Sequence, residues 1–259
     1  MKRIINILII SVLLVSCAVK QPKHADNSIN QKELVILSVN DMHAKIENMP
    51  KFAYVVDSLR NLYPELIIVS AGDNRTGNPY NDRYPEHSNF PMINMMNELG
   101  FDVSELGNHE FDGNIDGIRY FANTAKFPVI CANAYFTGYQ DLKLPPYVSV
   151  TRKIDGKDVK VIFLGMIETE NHGKPSSHEK NMKNVDFKPA EEVIPEYLYL
   201  KDSCDVFVLL SHCGMPDETK FAMEFPEFDI IIGGHSHDLC TKQFDSGVLY
   251  TQSKSYLTY

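Results

Sequence analysis

The chain has 259 residues, of which 44% are hydrophobic and 23% charged, and its formal net charge is -9. This composition is typical of one soluble domain with a substantial core, and no stretch beyond the leader is apolar enough to span a bilayer. The acidic balance argues against a nucleic-acid-binding function, because a nucleic-acid partner requires a basic surface.

The first 17 residues predict an export signal. The basic start Met1-Lys2-Arg3 precedes an apolar run at 4–15, and the run ends in Leu14-Val15-Ser16-Cys17, which resembles a bacterial lipobox. We therefore expect a lipoprotein-type signal peptide over 1–17, with a lipid on Cys17 anchoring the exported protein to the cell envelope, in the periplasm. The alternative is an ordinary signal peptide with a chance cysteine. Residues 18–32 are polar and predict a flexible tether.

Apolar runs alternate with segments of helical periodicity along the rest of the chain. In chain order they predict a strand at 34–39, a helix at 52–62, a strand at 66–71, a helix at 90–99, a strand at 101–106, a helix at 115–125, strands at 128–132, 147–154 and 159–167, a helix at 190–200, and strands at 206–210, 228–232 and 248–251. The early alternation predicts a parallel sheet with crossover helices. Asp155-Gly156-Lys157 predicts a hairpin, and so a mixed or second sheet.

Seven potential metal ligands recur along the chain, and most of them follow a predicted strand. They are Asp41, His43, Asp73, Asn108, His212, His235 and His237. In α/β sheets, sites form beyond the carboxyl ends of the strands, so we expect these side chains to converge. Their number suits two metal ions better than one, and paired metals serve phosphoester hydrolysis. Mixed oxygen and nitrogen donors admit Mn, Zn, Fe or Co and argue against calcium.

Each of these motifs also has a purely structural interpretation. Asp41 could cap a helix, and Gly72-Asp73-Asn74 could be only a turn. A strand-to-helix turn would explain the glycines and Asn108 of the 107–113 segment, but not its cluster of His109, Glu110 and Asp112. Arg75 is expected on the surface, although it follows Asp73 closely enough to reach a phosphate. The four cysteines after Cys17 match no known disulfide framework, so their pairing stays open.

Five blocks together resemble the calcineurin-like metallophosphoesterases, and more closely the catalytic domain of the bacterial 5'-nucleotidase and UDP-sugar hydrolase family. These blocks are Asn40-Asp41-Met42-His43, Gly72-Asp73-Asn74, Gly107-Asn108-His109-Glu110-Phe111-Asp112, Ser211-His212-Cys213-Gly214 and Gly233-Gly234-His235-Ser236-His237. The resemblance implies a catalytic domain over 33–259. It also implies a mixed α/β fold, a four-layer αββα sandwich of two mixed sheets flanked by helices.

The same resemblance implies a role for each residue of the site. Asp41, His43 and His237 would bind one metal ion. Asn108, His212 and His235 would bind the other, and Asp73 would bridge the two. His109 would lie beside the scissile phosphate, with Asp112 as its partner. Chemically, two cations can generate hydroxide near neutral pH, while His109 stabilises the transferring phosphoryl group or protonates the leaving alkoxide.

The expected function is therefore dinuclear-metal-dependent hydrolysis of small phosphate esters, most directly nucleotides, as in a 5'-nucleotidase. Three alternatives stay open: a 2',3'-cyclic phosphodiesterase, a UDP-sugar hydrolase, and a non-catalytic lipoprotein subunit that binds metal or phosphate. The presence of both His109 and Asp112 favours an enzyme. The family's carboxy-terminal nucleotide-binding domain is absent from these residues, so we expect either a fragment or a separately encoded partner domain.

Overall fold

A computed structural model describes residues 33–83, 87 and 89–258. The signal peptide and tether predicted for 1–32 lie outside these residues. The strands of the described part are β1 Ile36–Val39, β2 Ile67–Ser70, β3 Val103–Glu105, β4 Val129–Ile130, β5 Ala134–Tyr135, β6 Tyr147–Ile154, β7 Lys157–Ile167, β8 Asp186–Phe187, β9 Val206–His212, β10 Ile230–Ile232, β11 Leu239–Gln243 and β12 Leu249–Ser253. The α-helices are α1 Met49–Leu62, α2 Pro79–Asp82, α3 Phe90–Leu99, α4 Asn114–Thr124, α5 Ala190–Val193 and α6 Met215–Glu224.

Two large sheets dominate the fold. One has the order β1-β2-β3-β4, and each of its neighbouring pairs is parallel. The other has the order β11-β12-β10-β9-β7-β6, with a parallel centre and an antiparallel strand at each edge. Only the six-stranded sheet is therefore mixed, whereas two mixed sheets were expected. The reason is that helices make the first sheet's β1–β2 and β3–β4 crossovers, while hairpins add both edges of the second.

The sheets pack face to face and carry helices on their outer faces. Ile67 and Val103 of the first sheet share a buried cluster with Phe163 and Leu210 of the second. Strand β2 is buried on both faces, as its continuous apolar run predicts. A second cluster joins helices α1, α3 and α4 to the first sheet, and a third joins α5 and α6 to the second sheet. The expected four-layer αββα arrangement is confirmed.

Some elements differ from the sequence-based expectation. The helix expected at 190–200 is α-helical only over Ala190–Val193 and continues as a 3₁₀-helix over Ile194–Ser203. Pro195 has no backbone N–H to bond the preceding turn, so regular α-helix cannot continue through it. Helix α6 and strand β11 were not predicted. The first begins with Met215-Pro216-Asp217-Glu218, a recognisable helix start, whereas the second is an exposed edge strand without an apolar face.

Membrane attachment was predicted only through Cys17, which lies outside the described residues. Among the helices of 33–83 and 89–258, none combines the length and the apolar character needed to cross a bilayer. The lipid anchor itself stays a prediction.

Candidate metal centre

The loops that follow β1 and β2 run side by side and are joined through their backbones. The N–H groups of Asp41 and His43 donate to the carbonyls of Gly72 and Asp73, at 3.0 and 2.9 Å. Gly72 has φ +86°, and a Cβ there would lie 2.6 Å from the backbone nitrogen of Gly107. Only glycine allows the three loops to approach so closely. The approach places the predicted ligands of this sheet next to one another.

Asp41, His43 and His237 form a first group of donors. Nε2 of His237 lies 3.1 Å from Nε2 of His43 and 3.2 Å from Oδ1 of Asp41. His43 donates from Nδ1 to the carbonyl of Thr76, which leaves the lone pair of Nε2 facing the group. Oδ1 of Asp41 is buried without a hydrogen-bond partner in the described residues. An unpaired buried carboxylate oxygen beside two imidazole nitrogens fits a divalent cation.

Asn108, His212 and His235 form a second group. Oδ1 of Asn108 lies 3.2 Å from Nε2 of His212 and 3.0 Å from Nδ1 of His235. His212 is fully buried and donates from Nδ1 to the carbonyl of Ala71, at 2.6 Å, so its Nε2 points toward Asn108. One amide oxygen and two imidazole nitrogens thus converge, in the combination expected from the sequence.

Asp73 lies between the two groups. Its Oδ2 is 3.8 Å from Nε2 of His43 and 3.2 Å from Nε2 of His212, and its Oδ1 accepts from the backbone N–H of His109 at 2.8 Å. Burial opposes ionisation of this carboxyl, but the neighbouring imidazoles of His212, His109 and His43 hold the pKa of Asp73 below its usual value. The carboxylate therefore reaches both groups in its charged form, as a bridging ligand must.

His109 and Asp112 form a pair at the solvent side of these groups. Nδ1 of His109 lies 2.6 Å from Oδ2 of Asp112, and about a third of the histidine side chain is exposed. The hydrogen bond to Asp112 raises the pKa of His109 above its usual value, against the effect of burial. The imidazole therefore lies beside the donors with its Nε2 left for another molecule. His109 also approaches His43 and Asp73 closely enough to offer an alternative ligand set.

The site has one half on each large sheet, and in each half a buried carboxylate holds the loops together. Neither role was predicted from the sequence. Glu110 accepts hydrogen bonds from the backbone N–H groups of Asp73, Asn74 and Gly107, at 2.9, 2.9 and 2.6 Å. It therefore fastens the loop after β2 to the loop after β3. Burial raises the pKa of Glu110 from 4.5 to about 7, with the Asp73 carboxylate acting in the same direction.

Glu218, on α6, fastens two loops of the second sheet to each other. Its Oε1 accepts from the backbone N–H groups of Cys213 and Gly234 at 3.1 and 3.2 Å, and its Oε2 accepts from the hydroxyl of Tyr250 at 2.9 Å. These two N–H groups directly follow His212 and directly precede His235. Burial raises the pKa of Glu218 from 4.5 to about 7. This role could not be predicted from the sequence, because Glu218 lies in the first turn of a helix that was itself not predicted.

Two further expectations are resolved by the structure. Arg75 was expected on the surface but is 6% exposed, and its Nε and Nη1 have no hydrogen-bond partner in the described part of the chain. The expectation was wrong because the loop after β2 is buried through Arg75. Cys131, Cys204, Cys213 and Cys240 are free thiols, which answers the open question of their pairing.

Comparison with known proteins places this site in a family. A family model described as calcineurin-like phosphoesterase matches residues 34–239. The chain belongs to the calcineurin-like phosphoesterase family. The resemblance inferred from the five sequence blocks is thereby confirmed. Proteins of this fold typically bind divalent metals, and the carboxylates and imidazoles described above include candidate ligand groups.

Individual relatives agree with this assignment. Protein UshA of Salmonella pullorum is 28% identical over 246 residues, which are 84% of this chain and 43% of that protein. A 5'-nucleotidase of Vibrio parahaemolyticus is 27% identical over 252 residues, with coverage of 87% and 43%. The crystal structure of calcineurin-like phosphoesterase YfkN from Bacillus subtilis has a TM-score of 0.74 at 24% identity, covering 88% of this chain and 83% of that one. The chain spans less than half the length of these two curated relatives.

Proposed function

We propose that this chain is a hydrolase that uses two divalent metal ions to cleave phosphate esters of nucleotides. The observation that carries the proposal is the position of Asp73, within 3.8 Å of one donor group and 3.2 Å of the other. A carboxylate shared by two sets of oxygen and nitrogen donors suits a pair of cations. The metals compatible with these donors are Mn, Zn, Fe and Co.

The proposed ligand sets follow the two donor groups. Asp41, His43 and His237 would hold one cation, Asn108, His212 and His235 the other, and Asp73 would bridge them. When bound, such cations would lower the pKa of water and neutralise charge on the phosphoryl oxygens. The buried glutamates fix the backbone at Asp73 and next to Asn108, His212 and His235.

The proposed chemistry of the His109–Asp112 pair follows from its hydrogen bond. Asp112 accepts the Nδ1 proton, so Nε2 is the nitrogen that faces substrate. The raised pKa of His109 favours the protonated imidazole, which can donate its Nε2 proton to the departing alkoxide oxygen. The positive charge of the protonated imidazole also stabilises negative charge on the phosphoryl group.

Nucleotides are the proposed substrates because the relatives named above include a 5'-nucleotidase. The chain spans less than half of those relatives, so recognition of the base would come from outside the described residues, either in further sequence or in a separately encoded domain. We also propose export and a lipid anchor on Cys17, on the strength of the leader sequence alone.

Hydrolysis by the purified protein tests the proposal. After chelation and reloading with manganese or zinc, it should hydrolyse nucleoside monophosphates in a panel that also contains cyclic nucleotides, UDP-sugars and an aryl phosphate. His109→Ala should lower kcat by roughly 10²- to 10³-fold with unchanged metal content, because proton transfer is lost while the ligands stay.

A matched histidine variant controls this experiment. His87 is exposed and lies outside the site, so His87→Ala should retain wild-type turnover. Equal turnover in His109→Ala and the wild type would remove His109 from the mechanism. Binding of two metal ions without hydrolysis of any compound in the panel would favour the non-catalytic subunit instead.

A further inference from the structure

A loop from the second sheet reaches across to residues of the first. Residues 168–178 follow β7, and we call them the 168–178 loop. Glu168 begins it, and the backbone N–H of Glu168 donates to the carbonyl of His212 at 3.0 Å. Further along, Ser176 and Ser177 contact the Asn108 and Asp112 side chains. The loop thus connects both sheets at the donor groups.

The conformation of this loop is fixed from within. Asn171 and Lys174 exchange backbone hydrogen bonds of 2.9 and 3.1 Å around His172 and Gly173, which both have positive φ. Such a reciprocal turn is a stable closure of two chain segments. The buried carboxylate of Glu168 accepts from the backbone N–H of Ser176, on the returning side. These hydrogen bonds hold the segment with Ser176 and Ser177 against the start of the loop.

The carbonyl of Ser176 orients Asn108. It accepts from Nδ2 of Asn108 at 3.1 Å, and the other end of that amide, Oδ1, faces His212 and His235. Only the oxygen of an amide can ligate a cation, so an acceptor placed at the nitrogen selects the useful orientation. A turned amide would direct N–H groups at the histidines.

The hydroxyl of Ser177 orients Asp112 in the same way. Oγ of Ser177 donates to Oδ1 of Asp112 at 2.9 Å, while Oδ2 of Asp112 accepts from His109. The two carboxylate oxygens thus have separate partners on opposite sides, which fixes rotation of the group. The order Ser177, Asp112, His109 forms a short chain of hydrogen bonds that ends at the imidazole.

We propose that Ser177 is a positioning residue for the phosphoesterase reaction, acting through Asp112 on the imidazole of His109, and that the 168–178 loop sets the geometry of both the ligand Asn108 and this pair. The inference rests on the proposed function. It assigns a part in the reaction to a residue that lies well beyond the end of β7 and belongs to none of the five sequence blocks. Within the described residues, the hydrogen bond of its side chain goes to Asp112 and not to a donor group.

Removal of the hydroxyl tests the proposal. Ser177→Ala should lower kcat by about 10-fold, the lower end of the effect of outer-shell hydrogen bonds, with KM within about twofold and unchanged metal content. Ser177→Thr retains the hydroxyl and should restore most of kcat. A control is Ser203→Ala, which removes a serine hydroxyl that donates to the carbonyl of Leu200, in the 3₁₀-helix after α5. That variant should keep wild-type kcat.

A second readout does not depend on turnover. The short hydrogen bond between His109 and Asp112 should give a low-field proton resonance in the zinc-loaded protein, identified by its loss in His109→Ala. The resonance should shift in Ser177→Ala and return in Ser177→Thr. An unshifted resonance, or wild-type kcat in Ser177→Ala, would overturn the proposal. Should the wild-type protein hydrolyse nothing, the proposed function fails while the resonance still decides whether Ser177 positions the pair.

Discussion

The two halves of the candidate site offer different sets of donor atoms, but in both halves a buried glutamate holds the loops in place. The half on the four-stranded sheet contributes oxygen donors from Asp41, Asp73 and Asn108, together with the imidazole of His43. The half on the six-stranded sheet contributes imidazoles only, from His212, His235 and His237. In each half a fully buried glutamate gathers backbone N–H groups from two loops, Glu110 in the first and Glu218 in the second. The precision of both halves therefore depends on side chains that offer no ligand.

The two glutamates differ in how directly they hold the ligands. Glu110 binds the backbone N–H of Asp73 itself, and it lies two residues from Asn108 in the same 3₁₀-helix, Asn108–Gly113. Glu218 binds the backbone N–H groups of residues next to His212 and His235, not of these histidines themselves, and it does so from α6. The first half is thus a compact unit of adjacent loops, whereas the second is assembled across a helix and two strands. Disruption of the first should damage metal binding more.

Asp73 belongs to the first half yet contacts the second, so its replacement should have the largest effect. Asp73→Asn removes the charge that both donor groups share while keeping the size of the side chain. We expect metal content to fall from two ions to one or none, and turnover to fall by about 10³-fold or more. Metal analysis after dialysis, together with kcat, measures both effects. Retention of two tightly bound ions would show that the halves are independent.

Removal of each glutamate side chain compares the halves directly. Glu110→Ala leaves three backbone N–H groups without their acceptor and should lower the free energy of unfolding by about 4 kcal/mol. Glu218→Ala leaves two backbone N–H groups without their acceptor, while the Tyr250 hydroxyl keeps the side-chain oxygen of Gln252, so the expected loss is smaller, about 3 kcal/mol. Glu110→Ala should also weaken metal binding more. Denaturant unfolding and metal titration provide the two measurements.

A carboxylate far from the site controls this comparison. Asp102 accepts from the backbone N–H of Ile68 at 2.9 Å, near the amino end of the first sheet's strands. Asp102→Ala should destabilise the protein while leaving metal affinity unchanged. Metal affinity could instead fall equally in Glu110→Ala, Glu218→Ala and Asp102→Ala. General loss of stability would then explain the result, and the predicted difference between the two glutamates would be wrong.

The burial of Glu218 should also make the free energy of unfolding depend on pH. Its pKa is raised from 4.5 to about 7, so between these values the folded protein holds a proton that the unfolded chain releases. Stability from this group is complete below pH 4.5 and is lost as the pH rises through 7. In the chelated protein, Glu218→Gln should remove a fall of about 3 kcal/mol over that range. Parallel pH profiles for variant and wild type would contradict this.

The convergence of the donor side chains could be predicted from the sequence, because most of them follow a strand of recognisable pattern. Strand ends of a parallel sheet meet at one edge, so Asp41, Asp73 and Asn108 could be expected together from the order of strands alone. The β6–β7 hairpin could likewise be predicted from Asp155-Gly156-Lys157. These features depend on local pattern and on one general rule of sheet topology.

The supporting residues could not be predicted, because their partners are distant in sequence. Ser177 lies 65 residues from Asp112, and nothing in the 168–178 loop marks it as special. Glu218 resembles an ordinary acidic residue in the first turn of a helix. Arg75 looks like a surface cation until the inward course of its loop is known. Burial and long-range hydrogen bonding determine these roles, and both arise only from the packed fold.

The backbone of the site has a consequence for the evolution of this protein. Five of the seven predicted ligands, namely Asp41, His43, Asp73, His235 and His237, have positive φ values between 45° and 72°. A side chain in this left-handed conformation costs about 1 kcal/mol or more at each position. Glycine would remove this conformational cost at each position, but it would also remove the donor side chain. A lineage released from selection for activity should therefore drift toward glycine at these positions and gain robustness as it loses its chemistry.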